Sequence, residues 1–321
     1  MDIILKLKKA NLKGRSGSNF PTYLKWETVK KQKANSKYVI CNASEGEPLV
    51  KKDYFILKKY KEEVIEGIML ALKTVHAKTA IIYINKAYYN EFKEDLIKLT
   101  KNLPIELFEK PKGYLCGEET CLLNVIEGKE KIPRPKPPFP TEKGLYGKPT
   151  LINNVETFYY VNQINKKEYL NTKFYSIIGP KTGVFELSID LTIKEILEQT
   201  GNMPKYDFFL QVGGGAVGEI MLKKEIGKPL RGLGSIIVFD KEKTNVLDLM
   251  KQWASFFAKE NCDRCTPCRE GAYRIKEMLE QKIDKKILRD IFFILENASL
   301  CPFGKSLPVP FKTAIKKLLW K

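Results

Sequence analysis

The stretch ENCDRCTPCREG places Cys262, Cys265 and Cys268 three residues apart. Thiolates at that spacing wrap one face of a cubane iron–sulfur cluster and leave one iron for a remote ligand. Cys301, in SLCPFG and followed by proline, is the remote candidate, and the 32 residues between Cys268 and Cys301 suffice for two helices folding back antiparallel. Structural zinc is the alternative. Zinc sites usually present two separated pairs of ligands and often include histidine, whereas the one histidine here is His76. Seven cysteines, three of them inside seven residues, argue for metal rather than disulfides. Cys41, Cys116 and Cys121 stand apart and read as small buried residues.

Four stretches nearer the N-terminus carry polar groups at places suited to a ligand. GRSGSNFPTYLKW (14–26) is a glycine-turned loop holding Arg15 and Lys25, able to approach a phosphate through backbone N–H groups. CNASEGEP (41–48) ends a strand and delivers Asn42, Glu45 and Glu47 to its tip, where α/β sheets bind ligands. GYLCGEET (113–120) sets Glu118 and Glu119 after a glycine, and KPTLINNVET (148–157) pairs Asn153 with Asn154. Asparagine amides both donate and accept, so they can read the edge of a flavin or nicotinamide ring. Each stretch alone also reads as a turn, a cap or a solvated loop. Their order, followed by a cluster motif, is what gives them weight.

The elements that must position these groups read as α/β. KYVICNA is a strand, and DYFILKKYKEEVIEGIMLALKTV (53–75) has apolar residues at helical spacing with Asp53 placed to cap it. The strand KTAIIYIN and a helix through EFKEDLIKLTKNL follow, an alternation that predicts a parallel or mixed sheet with covering helices. Residues 111–150 are loop-rich, and KIPRPKPPFP (131–140) should be extended. From about Phe174, FYSIIG, GVFELSI, FFLQVGGG and GSIIVFD read as strands around the one short helix of LTIKEILEQTG, a small α+β module of ubiquitin-like size. From Val246 the chain reads as helical to its end, and FKTAIKKLLWK either closes that helical bundle or docks an acidic partner.

The bulk numbers bound the function. The chain has 321 residues, 43% of them hydrophobic, which is enough for several packed domains. No run of 18 apolar residues occurs and the N-terminus lacks the pattern of a signal peptide, so a cytoplasmic protein is expected, with membrane contact only through partners. The 56 basic residues exceed the 38 acidic ones, for a net charge of +18. The lysines are spread from end to end without interleaved aromatics, so no nucleic-acid partner is expected.

The chain resembles the flavoprotein subunit of respiratory NADH dehydrogenase, shared with NAD-linked hydrogenases and formate dehydrogenases. The likeness runs from about Gly14 to about Gly304 and is most specific over GYLCGEETCLLNVIEGKEKIPRPKPPFPTEKGLYGKPTLINNVET, with CTPCREG and the remote CP completing it. The resemblance implies three domains. These are a Rossmann-like FMN- and NADH-binding domain (1–165), a ubiquitin-like β-grasp or SLBB domain (166–244), and a helical bundle holding one [4Fe–4S] cluster (245–321). It implies FMN contacts from Gly14, Arg15, Gly17 and Lys25 on the phosphate side, and from Asn42, Gly117, Glu118, Asn153 and Asn154 along the ribityl chain and ring. Phe20 and Phe139 would sandwich the adenine of NADH, with Glu47, Glu119 and Lys136 holding the dinucleotide, and Cys262, Cys265, Cys268 and Cys301 would ligate the cluster. The implied activity is NADH:acceptor oxidoreduction through flavin to cluster, with no protein general acid in the chemical step. Electrons would pass to a thioredoxin-like [2Fe–2S] subunit or to a larger iron–sulfur subunit.

The likeness has departures. Ser16, Asn19 and Tyr23 stand where the family usually has glycine, Ser44 where it has aspartate, Gly46 where it has serine, and Thr28 where it has an aromatic. These leave open an electron-relay subunit that keeps FMN and the cluster but has altered NADH use. From a different class, a zinc-stabilised scaffold or a nucleic-acid binder remains as a further alternative.

Overall fold

Alternating β-branched runs and amphipathic stretches build the first half of the chain. The computed structural model describes residues 2–319. It divides into two compact units, Met1–Gly46 with Lys51–Phe174 and Glu186–Ile189, and Glu47–Val50 with Tyr175–Phe185 and Asp190–Lys321.

In the first unit α1 (Ile3–Lys9) is capped by Asp2, whose carboxylate accepts from the Ile4 N–H at 3.0 Å. After the glycine-bearing loop come α2 (Thr22–Lys31), β1 (Tyr38–Ala43), α3 (Lys52–Val75), β2 (Thr79–Asn85), α4 (Lys86–Thr100) and β3 (Ile105–Lys110). The loop-rich region holds two short helices, α5 (Cys121–Ile126) and α6 (Pro140–Lys143), before β4 (Thr150–Asn154) and α7 (Val155–Lys166). The strands lie in the order β3-β2-β1-β4, and β1 pairs in parallel with both β2 and β4. Strands covered on both faces by helices read as continuous apolar runs, and Val39, Ile40 and Cys41 are all fully buried. Gly67 of α3 lies against the Phe158 backbone of α7, where a Cβ has no room, so those helices pack at close range.

One expectation is corrected here. Asp53 does not cap α3; the cap position is Lys51, which makes no side-chain cap hydrogen bond. Glu45 takes that role instead, accepting from the N–H of Asp53 at 3.1 Å and of Tyr54 at 3.4 Å. A carboxylate at a helix N-terminus satisfies donors that the helix cannot, whatever its distance in sequence.

The remaining strands are β5 (Thr172–Ile178), β6 (Gly183–Ser188), β7 (Phe208–Val212), β8 (Glu219–Leu222) and β9 (Ser235–Asp240), in the order β6-β5-β9-β7-β8. β5 and β9 run parallel; β7 is antiparallel to both β8 and β9. The short helix of this segment, α8 (Ile193–Gln199), begins in a reciprocal cap between Thr192 and Glu195. β8 was not expected. Its four residues, EIML, sit between a glycine and a lysine pair and are too few to show an alternating pattern.

The chain then continues as α9 (Val246–Glu260), α10 (Thr266–Glu280), α11 (Lys285–Ala298), α12 (Pro302–Ser306) and α13 (Pro308–Ala314). Trp253, Phe257, Ile275, Leu295, Phe303 and Phe311 are buried among these helices. The first part of FKTAIKKLLWK packs onto β8: Ile220 N–H donates to Thr313 Oγ1 at 2.9 Å and Lys317 Nζ donates to the Ile220 carbonyl at 2.6 Å. That favours the closing role over a docking surface; Trp320 and Lys321 lie outside the described residues. Among the described residues no helix is long and apolar enough to cross a membrane.

Candidate functional site

The first unit's strand order reverses between β1 and β4. β1 leads outward through β2 to β3 on one side, while β4 adds on the other. The carboxyl ends of the strands at such a reversal leave a crevice between diverging connections. Asn42, next to the last residue of β1, lies opposite Asn154, and Cys41 lies opposite Asn153. Asn42 Nδ2 donates to the Gly117 carbonyl at 2.9 Å, tying the GYLCGEET loop over the tip of β1. The Ser44 hydroxyl and N–H both donate to Asn42 Oδ1. A Cβ on Gly117 would come 2.6 Å from Ser44 Oγ, so glycine is what lets this loop sit so near. Asn153 is buried, its Oδ1 accepting from Trp26 Nε1 at 3.0 Å.

Beside this crevice the structure joins four of the expected residues in one charged network. Lys25 Nζ reaches Glu119 at 3.0 Å and the Ile152 carbonyl at 3.1 Å. Lys136 Nζ bridges Glu119 at 2.8 Å and Glu118 at 3.0 Å. Burial alone would raise the Glu119 pKa, but the charges of Lys25 and Lys136 outweigh it and hold the carboxylate at about 2. Lys136 is correspondingly shifted upward: burial opposes its charge, and Glu119 and Glu118 prevail. Glu118 has a second task, with Oε2 accepting from the N–H of Thr120 at 2.8 Å and of Cys121 at 2.9 Å at the start of α5.

The glycine loop closes on itself through the Gly14 N–H and the Phe20 carbonyl, 2.8 Å apart. Around Gly17 a Cβ would meet nothing within 4 Å, so this part of the loop is open. Arg15 turns inward: Nη2 donates to Tyr169 at 2.8 Å and to the Thr172 carbonyl at 2.9 Å, with the guanidinium over the Tyr160 ring. Two buried polar atoms flanking the loop, Arg15 Nε and Thr22 Oγ1, have no hydrogen-bond partner among the described residues. Donors left so beside an open glycine loop suit an anionic group such as a phosphate. Asn19 holds a positive φ of 49°, which asparagine tolerates in place of glycine. Tyr23 is half-buried with Lys8 over its ring. Phe20 and Phe139 are both about half exposed, at 47% and 51%.

Beneath the crevice lies a buried set of charges. Lys52 bonds Asp53 at 2.5 Å, Glu156 at 3.2 Å and Asn154 Oδ1 at 2.9 Å. Burial opposes its charge, yet Asp53, Glu156 and Glu45 together keep it protonated well beyond the ordinary lysine range. Glu45 goes the other way, pushed up to about 7 by burial and by the Asp53 charge. Lys52 and Glu156 were not among the expected site residues, because a lysine beside an aspartate at a helix start looks like surface charge until its carboxylate partner 104 positions later is known.

In the second unit Cys262, Cys265 and Cys268 lie before and at the start of α10, and Cys301 stands at the start of α12. Cys268 is buried, and its thiol is pushed up to about 12 by burial and then by the proximity of Cys265, Cys301 and Cys262. Four free thiols with no histidine among them are the donors a four-iron cluster takes, one thiolate on each iron. The donor set fits a four-iron cluster.

Comparison with known proteins matches the regions that carry both sets of residues. A family model described as Nuo51 FMN-binding domain matches residues 7–163, and one described as NADH-ubiquinone oxidoreductase-F iron-sulfur binding region matches residues 248–318. The F subunit of NADH-quinone oxidoreductase from Rickettsia bellii is 32% identical over 98% of this chain and 87% of its own length. Its counterpart in Buchnera aphidicola subsp. Schizaphis graminum is 30% identical over 98% of this chain and 82% of its own. The chain belongs to the family of NADH-quinone oxidoreductase F subunits.

As a member of that family the chain carries its FMN-binding domain and iron–sulfur-binding region, and is an oxidoreductase flavoprotein subunit. It also superposes on a chain of an NAD+-reducing [NiFe]-hydrogenase with a TM-score of 0.90 and 27% identity. The match takes in 98% of this chain and 61% of that chain's length. Of the residues expected to hold FMN and NADH in this family member, Glu47 alone belongs to the second unit, where its carboxylate accepts from the Ala216 N–H at 3.2 Å.

Proposed function

We propose that this chain is the NADH-oxidising subunit of a larger electron-transfer complex, taking hydride from NADH onto FMN and passing electrons singly through a [4Fe–4S] cluster to partner iron–sulfur subunits. The observation that carries the reading is the strand reversal between β1 and β4, which puts Asn42, Ser44 and Asn153 at one crevice beside the Lys25–Glu119–Lys136 network. FMN supplies the exchange between two-electron hydride chemistry and one-electron transfer, and the cluster accepts the single electrons.

In this reading the chain's own residues bind and orient. Gly14, Gly17 and the unpartnered donors of Arg15 and Thr22 hold the flavin phosphate, with Lys25 adding positive charge. Asn42, Gly117, Glu118, Asn153 and Asn154 shape the crevice for the ribityl chain and ring. Phe20 and Phe139 offer exposed ring faces for the adenine of NADH, and Lys136 and Glu119 engage the dinucleotide, with Glu47 as a further ligand. Cys262, Cys265, Cys268 and Cys301 ligate the cluster. The domains are an FMN/NADH domain (1–165), an SLBB-type β-grasp domain (166–244) and a cluster-binding helical bundle (245–321). The partners are a thioredoxin-like [2Fe–2S] subunit and a larger iron–sulfur subunit, and the chain works in the cytoplasm, peripheral to any membrane.

Anaerobic addition of NADH to flavin- and cluster-loaded protein tests the reading. Rapid bleaching of the flavin's visible absorbance is expected. Flavin that stays bound but is not bleached would move the assignment to an electron relay served by another donor.

A further inference from the structure

The iron–sulfur reading of the four cysteines, on which this inference rests, leaves one neighbouring group unexplained. Ser299 ends α11 two residues before Cys301 and is only 4% exposed. Its hydroxyl has no hydrogen-bond partner among the described residues. A serine hydroxyl at a helix end ordinarily bonds back to a carbonyl of the preceding turn. A hydroxyl buried without a partner is costly, and is kept where an acceptor other than a protein group is available.

Gly304 places the Ser299 hydroxyl beside one of the cluster cysteines. A Cβ built on Gly304 would come 2.5 Å from Ser299 Oγ and 3.1 Å from Cys268 Cβ. The serine hydroxyl and the base of the most buried cluster thiol therefore both pack against Gly304, on the side where a Cβ has no room. Any larger residue at 304 would push Ser299 away from Cys268.

We propose that the Ser299 hydroxyl donates a hydrogen bond to the cluster at the Cys268 corner, to the Cys268 thiolate or an adjoining sulfide, and thereby raises the cluster's reduction potential. The hydroxyl keeps its proton throughout. One-electron reduction adds a negative charge to the cluster, and an O–H donor aimed at sulfur stabilises that reduced form more than the oxidised one. Ser299 is thus a tuning residue acting on the cofactor and not a ligand, since Cys301 supplies the fourth thiolate.

The test is an EPR-monitored redox titration of the full chain with reconstituted cluster, using dithionite as the one-electron reductant, for wild type, S299A and S299T. S299A should shift the midpoint to more negative potential, with the equilibrium constant for reduction falling by up to about tenfold, which is 59 mV for one electron. S299T, which keeps the hydroxyl, should stay near wild type. The coupling of the Ser299 hydroxyl deuteron to the reduced cluster should be lost in S299A and kept in S299T. S299G removes the same hydroxyl with a smaller side chain and should give the same shift if S299A does not accumulate. An unchanged midpoint and an unchanged deuteron coupling in either variant overturn the inference while leaving the cluster assignment standing. A wild-type protein that takes up no four-iron cluster overturns the cluster reading itself.

Discussion

Asn154 and Asn42 face each other across the ends of β4 and β1, and the Asn154 amide nitrogen donates to the Asn42 carbonyl at 3.1 Å. The same nitrogen donates to Asp53 at 2.8 Å, while Asn154 Oδ1 accepts from Lys52 at 2.9 Å and from the Glu156 N–H at 3.1 Å. Two donors and two acceptor positions are all that an asparagine side chain has. Asn154 is saturated by the protein, so it shapes the crevice as a brace, whereas Asn153 spends its oxygen on Trp26.

Replacing Asn154 with alanine should therefore damage the fold more than the ligand contacts. It strips partners from buried Asp53 and Lys52, at roughly 1–3 kcal/mol for each group left unsatisfied. Urea unfolding should show the loss in the apoprotein, with no flavin present. A loss of flavin affinity with full apoprotein stability would refute the brace.

Glu119→Gln should remove the counter-charge shared by Lys25 and Lys136. The folded-state pKa of about 2 lies below the ordinary glutamate value of about 4.3, so the stabilisation is fully present above that ordinary value and is lost as pH falls toward 2. The stability gap between wild type and E119Q should be flat above about pH 5 and narrow on acidification. Thermal melts across that range check it.

Glu45 predicts the opposite slope. The folded protein holds its proton up to about pH 7 while the unfolded chain releases it near about 4.3, so stability drains away as pH rises through that window. E45Q keeps an acceptor for the N–H groups at the start of α3 and should flatten the decline. Melting temperatures between pH 5 and 8 would show the same slope in both proteins if Glu45 were not the group responsible.

Gly117→Ala should crowd Ser44, because the new Cβ would lie 2.6 Å from its hydroxyl oxygen. The expected cost is about 1–3 kcal/mol and a weaker flavin complex. Adding Ser44→Gly should recover most of the loss. Flavin fluorescence titrations of the single and double variants would reveal additive damage instead if the two residues do not interfere.

Cys301→Ala should abolish the EPR signal of a reduced four-iron cluster while leaving flavin binding in the other unit intact. Retention of the full signal would mean that another residue supplies the fourth ligand.

Local signals are legible in the amino-acid sequence. KYVICNA forms β1 within one residue of its expected bounds, because Val39, Ile40 and Cys41 are all apolar and buried. The cysteine spacing likewise marks a cofactor by chemistry alone. Pairings across long stretches of chain are what stays hidden. The Arg15 guanidinium looks like a phosphate ligand, and in the structure its Nη2 is bound to Tyr169 and Thr172 while its buried Nε has no partner among the described residues. Glu45 replaces Asp53 as the cap of α3 because a loop carboxylate delivered by β1 meets the helix end in space. β8 has too short a pattern to detect, and it is recognised by its ladder to β7.

The strand order also governs how this sheet can be assembled on the ribosome. β1 completes its pairing with β2 early, but its other edge waits for residues 150–154. Until then its free N–H and C=O groups are a template for stray strands. Among the segments synthesised during that wait is KIPRPKPPFP, whose prolines lack the N–H groups needed to occupy the edge. The proline run is itself no competitor for the berth that β4 will take.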